Sequence, residues 1–373
     1  MARPVLRTAL CDILGIEYPI LLAGMGSRGK ATPAALVAAV SEAGGMGVIG
    51  GSGLPAEELQ SVIRETRTLT DKPIGVDLIL PNIAKGAGVT RTEVRRQLNE
   101  RFPEHVAFVR SLMETYELPE VHVDNEAVIS ANLIENQVRV IMEEDVQMFA
   151  AGLGDPSGIV PQARERNMTV FGLVGSARNA ERQKAAGVDI VVAQGYEAGG
   201  HTGRIANFPL IPQVVDAVAP TPVVAAGGIS DGRGVAAALS LGAVGAWVGT
   251  AFLVAEESEI GDVRQSAIIE GGSRDFDIRR IYTGKTARGH ITPVIEAWDA
   301  SGLEPLPMPY QKIMMDDFNE SALRAGRDDL ISNPAGQGAG LLNARRPAAK
   351  IMEDLVAGTV ETLRGFDTRV ELG

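Results

Sequence analysis

His201 is the residue of this sequence whose type and position most clearly suggest chemistry. It ends the segment Glu197–His201 (EAGGH), which directly follows the apolar run Asp189–Gln194. A histidine on a glycine-rich loop at the carboxyl end of a buried strand can reach a ligand, and glycine backbone lets that ligand approach closely. A neutral imidazole can take a proton near neutral pH, which oxidation of an acidic carbon requires. We therefore expect His201 to act as a base; the alternative is that it only binds substrate or orients the loop.

Two further apolar runs end in glycine. Pro222–Ala226 is followed by Gly227 and Gly228, and Val244–Val248 is followed by Gly249 and Thr250. In parallel β/α barrels the loops after the last two strands often bind phosphate through backbone N–H groups and a helix amino terminus. This pattern predicts a phosphate site, although glycines that only allow tight turns remain the alternative. Asp231 stands where it could cap the next helix.

The sequence of Gly24–Gly29 (GMGSRG) matches the dinucleotide-binding fingerprint. A true dinucleotide-binding unit ends its second strand with an acidic residue for the ribose hydroxyl. Here the second strand runs into Gly50–Gly53 (GGSG), which has no carboxylate. The sequence therefore favours glycines that let the backbone approach a planar ring at the mouth of a barrel.

The elements that must position these residues alternate between short apolar, β-branched runs and amphipathic segments, the pattern of repeated βαβ units. It predicts an α/β fold, a (β/α)8 TIM barrel with a helical insertion after strand 3 and a C-terminal helical lid or extension. We expect residues 1–80 and 145–296 to form the barrel domain, 81–144 the insertion and 297–373 the extension. The expected strands are Pro19–Ala23, Gly47–Ile49, Ile74–Leu80, Val146–Ala150, Thr169–Leu173, Asp189–Ala193, Pro222–Ala226 and Val244–Val248.

Composition excludes several classes of function. The 373 residues carry a net charge of −12, which argues against nucleic acid or an anionic membrane as the main partner. No apolar run approaches the roughly 20 residues needed to span a bilayer. The single cysteine, Cys11, fits a reducing cytoplasm and a packed small side chain. No His/Cys/Asp cluster has metal-ligand spacing, so we expect no metal. The expected partner is a small-molecule substrate, and a homodimer is compatible with the sequence.

Five stretches resemble the nitronate monooxygenase family, formerly the 2-nitropropane dioxygenases. That family shares its flavin barrel with the flavin-dependent enoyl-acyl-carrier-protein reductases. The matches occur in the same order across the whole barrel, so the resemblance is specific for the family. The stretches are Gly15–Ile20, Val40–Gly47, Glu197–Gly203, Ala225–Gly234 and Gly249–Phe252.

The resemblance implies a bound FMN across the barrel mouth and identifies His201 with the loop histidine that takes the substrate's acidic proton, or binds substrate in the reductases. At the end of strand 3 the family usually has an asparagine against the flavin, whereas this chain has Asp77. A carboxylate there would disfavour a negatively charged reduced ring and would tend to have a raised pKa. The implied cofactor-binding residues are Gly24, Met25, Asp77, Gly199, Gly200, Gly227, Gly228, Gly249 and Thr250.

Three functions are consistent with these residues. The first is oxidation of alkyl nitronates with O2 to a carbonyl compound and nitrite. The second is an FMN reductase, with NADH or NADPH as reductant, for an enoyl or ketone substrate that includes CoA and acyl-carrier thioesters. The third is a flavin-binding protein without turnover, against which the intact His201 argues. We expect the C-terminal tail to fold back and bring Gln337 or Lys285 near the substrate, and Arg204 and Arg288 would suit a phosphate-bearing carrier.

Overall fold

The computed structural model describes residues 4–26, 30–80, 90–123 and 131–366, and its centre is a barrel of eight parallel strands. The strands are β1 (Ile20–Leu22), β2 (Gly47–Gly50), β3 (Ile74–Ile79), β4 (Met148–Gly152), β5 (Thr169–Val174), β6 (Ile190–Gln194), β7 (Gly200–His201), β8 (Val223–Ala226), β9 (Gly245–Val248), β10 (Phe276–Arg279) and β11 (Ala287–His290). Eight of them form the barrel in the order β1-β9-β8-β6-β5-β4-β3-β2, and a parallel bridge between Leu21 and Met46 joins β1 to β2. These are the eight predicted strands, which are confirmed with ends that differ by no more than two residues.

The helices begin and end at residues whose chemistry explains their limits. Ser176 accepts a hydrogen bond from the N–H of Asn179 at the start of α8, and Gly187, in the left-handed conformation, ends that helix. Asp231 caps α10, as its position predicts. The helices are α1 (Ala9–Leu14), α2 (Ala34–Glu42), α3 (Ala56–Leu69), α4 (Arg91–Arg101), α5 (Pro103–Thr115), α6 (Ala131–Glu143), α7 (Val160–Glu165), α8 (Ala177–Ala186), α9 (Asn207–Val218), α10 (Gly232–Ser240), α11 (Thr250–Leu253), α12 (Asp262–Glu270), α13 (Pro293–Ser301), α14 (Tyr310–Arg324) and α15 (Ala348–Arg364), with 3-10 turns at Ser273–Asp275 and Gln337–Leu341.

Each barrel strand is buried on both sides, which explains why the strands read as continuous apolar runs. One set of side chains fills the barrel interior, where the rings of Phe171 and Trp247 lie 6.0 Å apart. Helix α1 closes the amino-terminal end of this interior with Leu10, Cys11 and Leu14. The other set packs between the strands and the surrounding helices.

The residues between β3 and β4 pack in two different places. Helix α6 lies against α3 and contributes Val140 and Ile141 to the barrel's outer core. Helices α4 and α5 instead share a separate core with α13 and α14, centred on Trp298. Two partly buried ion pairs, Arg91–Asp316 and Arg95–Asp317, join α4 to α14. In the described parts of the insertion after strand 3, residues 90–123 and 131–144, one helix therefore lies on the barrel wall and two lie outside it.

The C-terminal residues also separate into two structural roles. Helix α15 packs against α2 and α10 on the barrel wall. A Cβ at Gly232 would lie 2.2 Å from the nitrogen of Thr359, so the two helices approach closely only because glycine stands there. The segment before α15 reaches the carboxyl end of the barrel instead. In the described ranges, no helix has the length and apolar character needed to cross a membrane.

Candidate active site

A small antiparallel sheet holds His201 at the carboxyl end of β6. Strand β7 pairs with β11, so that His201 lies opposite Ala287, and β11 pairs with β10. The Gln194 side chain donates a hydrogen bond to the carbonyl oxygen of His201 at 2.8 Å. The last residue of β6 thus fixes the backbone of the histidine loop.

Arg288, in β11, also holds the loop that leads to His201. It is only 1% exposed, and its guanidinium donates hydrogen bonds to the carbonyl oxygens of Phe276 (2.7 Å) and Tyr196 (3.1 Å). The guanidinium carbon also lies 4.7 Å from the centre of the Tyr196 ring. Arg288 therefore stabilises the sheet, and its burial argues against contact with a phosphate-bearing carrier.

The His201 imidazole is largely enclosed and faces positive charge. Its Nε2 lies 3.4 Å from the hydroxyl of Thr283. Burial lowers the pKa of His201 below its ordinary value, and the nearby Lys285 and Lys312 lower it further. The ring is consequently neutral at pH 7, the state in which it can accept a proton. Lys285 itself is exposed.

The histidine loop is tied to the glycine turn after β8. The backbone N–H of Asn207 donates to both carboxylate oxygens of Glu197, at 2.9 and 3.1 Å. The Asn207 side chain in turn donates to the carbonyl oxygen of Gly227. Gly227 and Gly228 have φ of +98° and +69°, which favour glycine. The two loops therefore form one connected surface.

The segment 335–338 joins this surface to the turn after β9. The N–H of Gly336 donates to the Thr250 hydroxyl at 2.9 Å, and the N–H of Gln337 donates to the carbonyl oxygen of Glu197 at 3.0 Å. A Cβ at Gly199 would lie 2.6 Å from the carbonyl carbon of Ala335. The C-terminal segment thus lies directly on the loops after β6 and β9, with Gln337 half-buried among them.

The remaining predicted residues lie around the ends of β1 and β3, next to the turn after β9. A Cβ at Gly24 would lie 2.3 Å from that of Asp77, and one at Gly249 would lie 3.3 Å from the sulfur of Met25. Asp77 keeps some solvent contact, but its Oδ1 is shielded and has no hydrogen-bond partner among the described residues. Burial raises the pKa of Asp77 to about 7.

Sequence reasoning gave no role to four residues that shape this site. Thr283 and Lys312 approach His201 from segments more than eighty residues away, and no local pattern marks them. For Glu197 and Asn207 the sequence does offer a signal. Asn207 begins helix α9, and an acidic side chain near a helix amino terminus commonly accepts hydrogen bonds from the free N–H groups there. Among residues 4–26, 30–80, 90–123 and 131–366, no group of three metal-ligating side chains occurs.

Two surface depressions, of about 470 and 520 Å³, lie away from this site. The first is lined by Pro4 and the end of α15, and the second by residues around α1, including Arg7 and Lys72. Neither contains a residue of the histidine loop or of the glycine turns. We place the site at the barrel mouth because the unpartnered carboxyl oxygen and the glycine turns converge there.

Known proteins resemble the chain over nearly its whole length. The family model described as nitronate monooxygenase matches residues 7–358. A Mycobacterium tuberculosis protein, provisionally named a monooxygenase, is 37% identical over 375 residues, which cover 96% of this chain and 98% of that protein. Nitroalkane oxidase from Streptomyces ansochromogenes superposes with a TM-score of 0.81 at 27% identity, covering 96% of this chain and all of that one. FabK from Thermotoga maritima gives a TM-score of 0.77 at 31% identity, covering 98% of this chain and 100% of that one.

Proposed function

The chain belongs to the nitronate monooxygenase family and is a flavin-dependent oxidoreductase, and we propose that it binds FMN and oxidises alkyl nitronates with O2 to a carbonyl compound and nitrite. The family inferred from the motifs is thereby confirmed. The observation that carries the proposal is the position of His201, on a loop bonded through Glu197 and Asn207 to the glycine turn of Gly227. A proton acceptor and a candidate phosphate cradle therefore belong to one connected surface.

The residues at the mouth fit a flavin. The Oδ1 of Asp77 and the hydroxyl of Ser230 are buried polar atoms without a partner in the described part of the chain. Such atoms are costly unless a bound group or water satisfies them. Ser230 follows the glycine turn after β8, where the phosphate is expected, and Asp77 adjoins Gly24, where the ring is expected. The two unpartnered atoms thus lie beside the two ends of the proposed cofactor.

Backbone groups would hold most of this cofactor. The N–H groups of Gly228, Gly249 and Thr250 would bind its phosphate, since glycine leaves the backbone accessible. Gly227 and Gly200 would shape the turns around it, and both have positive φ. The ring would lie along Gly24, Met25, Asp77 and Gly199. When bound, the flavin supplies the electron transfer that no side chain of this chain can supply.

His201 would act on the substrate as a base or as an anchor. As a neutral imidazole it can take the acidic proton next to a nitro group, or it can hold a nitronate that is already an anion. Lys285 and Lys312 add positive charge around it, which favours an anionic substrate or a developing negative charge. We propose that Lys285, just before β11, and Gln337, in the 3-10 turn before α15, contact the substrate.

A second candidate is an FMN reductase that uses NADH or NADPH on an enoyl or ketone substrate, including CoA and acyl-carrier thioesters. One observation favours it: the chain is 31% identical to FabK over that protein's full length. The proposed site residues are the same for both candidates, so the substrate distinguishes them.

Anaerobic mixing of the purified holoenzyme with an alkyl nitronate tests the proposal. Rapid loss of the oxidised flavin absorbance, reversed by O2 with release of nitrite, is the expected result. No change with nitronate, but bleaching with NADH or NADPH, would replace it with the reductase. His201→Ala protein that keeps its flavin should lose nitronate turnover, and normal turnover would refute the role given to His201.

We further propose that the protein acts in the cytoplasm and forms a homodimer. The single cysteine, buried in the barrel interior at Cys11, supports the location. Size-exclusion chromatography with light scattering tests the dimer, and a monomer at micromolar concentration would contradict it.

A further inference from the structure

The contact between Thr283 and His201 bears on which nitrogen of the imidazole is basic. A neutral imidazole carries one proton, and the hydrogen bond made by one nitrogen decides whether the other can accept a proton. Thr283 Oγ1, at 3.4 Å from Nε2, is the hydrogen-bonding partner of this ring within the described residues. The role of the threonine hydroxyl therefore sets the tautomer of His201.

The other hydrogen bonds of Thr283 determine that role. Its hydroxyl donates to the carbonyl oxygen of Lys285 at 3.2 Å and accepts from the N–H of Lys285, also at 3.2 Å. A hydroxyl has one hydrogen to donate and two lone pairs to accept with. A hydroxyl that donates to the carbonyl oxygen of Lys285 offers the imidazole only an accepting lone pair. This arrangement requires Nε2 to carry the proton.

We propose that Thr283 is the positioning residue that holds His201 as the Nε2–H tautomer and leaves Nδ1 as the basic atom. The inference rests on the proposed function, because it assigns the atom that takes the substrate's proton. It also decides between the two roles of His201: Nδ1 takes the acidic carbon-bound proton of the neutral nitroalkane, which leaves the nitronate. With the opposite tautomer, Nδ1–H could donate a hydrogen bond to the nitronate but could not accept the proton of the nitroalkane.

The charged groups around the ring are compatible with this arrangement. Lys285 lies on the same segment as Thr283, and Lys312 approaches from α14, where Asp316 pairs with it at 2.9 Å. Both lysines disfavour the imidazolium, so the ring stays neutral and its tautomer is the property that matters. Two hydrogen bonds between the Thr283 hydroxyl and the backbone of Lys285 hold Thr283 in place.

Nitrogen-15 NMR of the holoenzyme tests the tautomer directly. Two-bond proton–nitrogen spectra of histidine-labelled protein distinguish protonated from unprotonated ring nitrogens. The sequence has four histidines, so His201→Gln identifies the signal. We expect the Nε2–H pattern for His201 in the wild type. An Nδ1–H pattern would overturn the inference.

Three substitutions separate positioning from a structural role. In Thr283→Val the Nε2–H pattern should give way to a mixture, kcat/KM for the neutral nitroalkane should fall roughly 2- to 10-fold, and the acid limb of kcat/KM should move to lower pH. Thr283→Ser should restore all three properties, and Thr286→Val, an exposed threonine of the same segment, should leave them unchanged. A valine variant with the wild-type tautomer and pH profile would refute the proposal. If the wild type shows Nε2–H but no nitronate turnover, the proposed function fails and this inference stands.

Discussion

Replacing Asp77 with asparagine should change how the stability of the flavin-free protein depends on pH. The pKa of Asp77 is raised from 3.8 to about 7 because burial disfavours its charged form. In the unfolded chain the same carboxyl ionises near pH 4. Between pH 4 and 7 the unfolded state therefore binds fewer protons than the folded state, and the stability falls as the pH rises.

The magnitude follows from the size of this rise. A rise from 3.8 to about 7 corresponds to roughly 4 kcal/mol once the pH exceeds both values. Because Asp77 keeps some solvent contact, we expect about half of that, roughly 2 kcal/mol. An asparagine side chain at this position has no charge to bury, so Asp77→Asn protein should be more stable than the wild type by this amount at pH 8. The difference should shrink as the pH falls and should disappear below pH 4, where the carboxyl is protonated in both states.

Urea unfolding of both proteins between pH 4 and pH 8 measures this difference. Asp216→Asn removes an exposed carboxyl on α9 and serves as the matched control, for which we expect no comparable dependence. The test is how the difference in free energy of unfolding between Asp77→Asn and the wild type changes with pH. If the curves of the wild type and Asp77→Asn run parallel over the whole range, the carboxyl is not held protonated and the reasoning is refuted.

Three further predictions concern the histidine loop. Activity should fall with decreasing pH through a His201 pKa that lies below its ordinary 6.5, since only the neutral ring accepts a proton; an acid limb of kcat/KM above 6.5 contradicts this. Gly199→Ala should lower the melting temperature more than Gly200→Ala. An added Cβ meets the Ala335 backbone at 2.6 Å in the first and nothing within 4 Å in the second, where positive φ alone costs about 1 kcal/mol. Arg288→Lys should cost roughly 2 kcal/mol in urea unfolding, because one ammonium cannot replace both guanidinium hydrogen bonds, and an unchanged midpoint argues against the anchor.

The barrel could be predicted from sequence because its signals are local. Strands such as Ile190–Gln194 and Val223–Ala226 are short β-branched runs that are buried on both faces. The turn at Gly227 and Gly228 was visible as well, since positive φ at both residues demands glycine. These features depend on neighbouring residues alone, so a single sequence reveals them.

The contacts that complete the site could not be predicted, because they join distant segments. Strand β7 is two residues long and pairs with a strand more than eighty residues later, so it has no periodicity to recognise. The approach of Thr283 to His201 depends on that pairing. The division of the insertion also had no local signal: α6 and α5 are both amphipathic, and only their packing assigns one to the barrel wall and the other to the core around Trp298.

Cofactor and proton transfer therefore depend on different parts of the chain. The proposed flavin cradle consists of strand ends and glycine turns of the barrel, whose backbone positions the eight-stranded sheet fixes. The environment of His201 instead comes from β11, from the turn at Thr283 and from α14, all of which lie outside the barrel strands. Substitutions in that turn can alter the tautomer, charge and substrate contacts of the histidine without touching a strand of the cradle. Relatives with the same barrel can on this basis differ in substrate while keeping one mode of flavin binding.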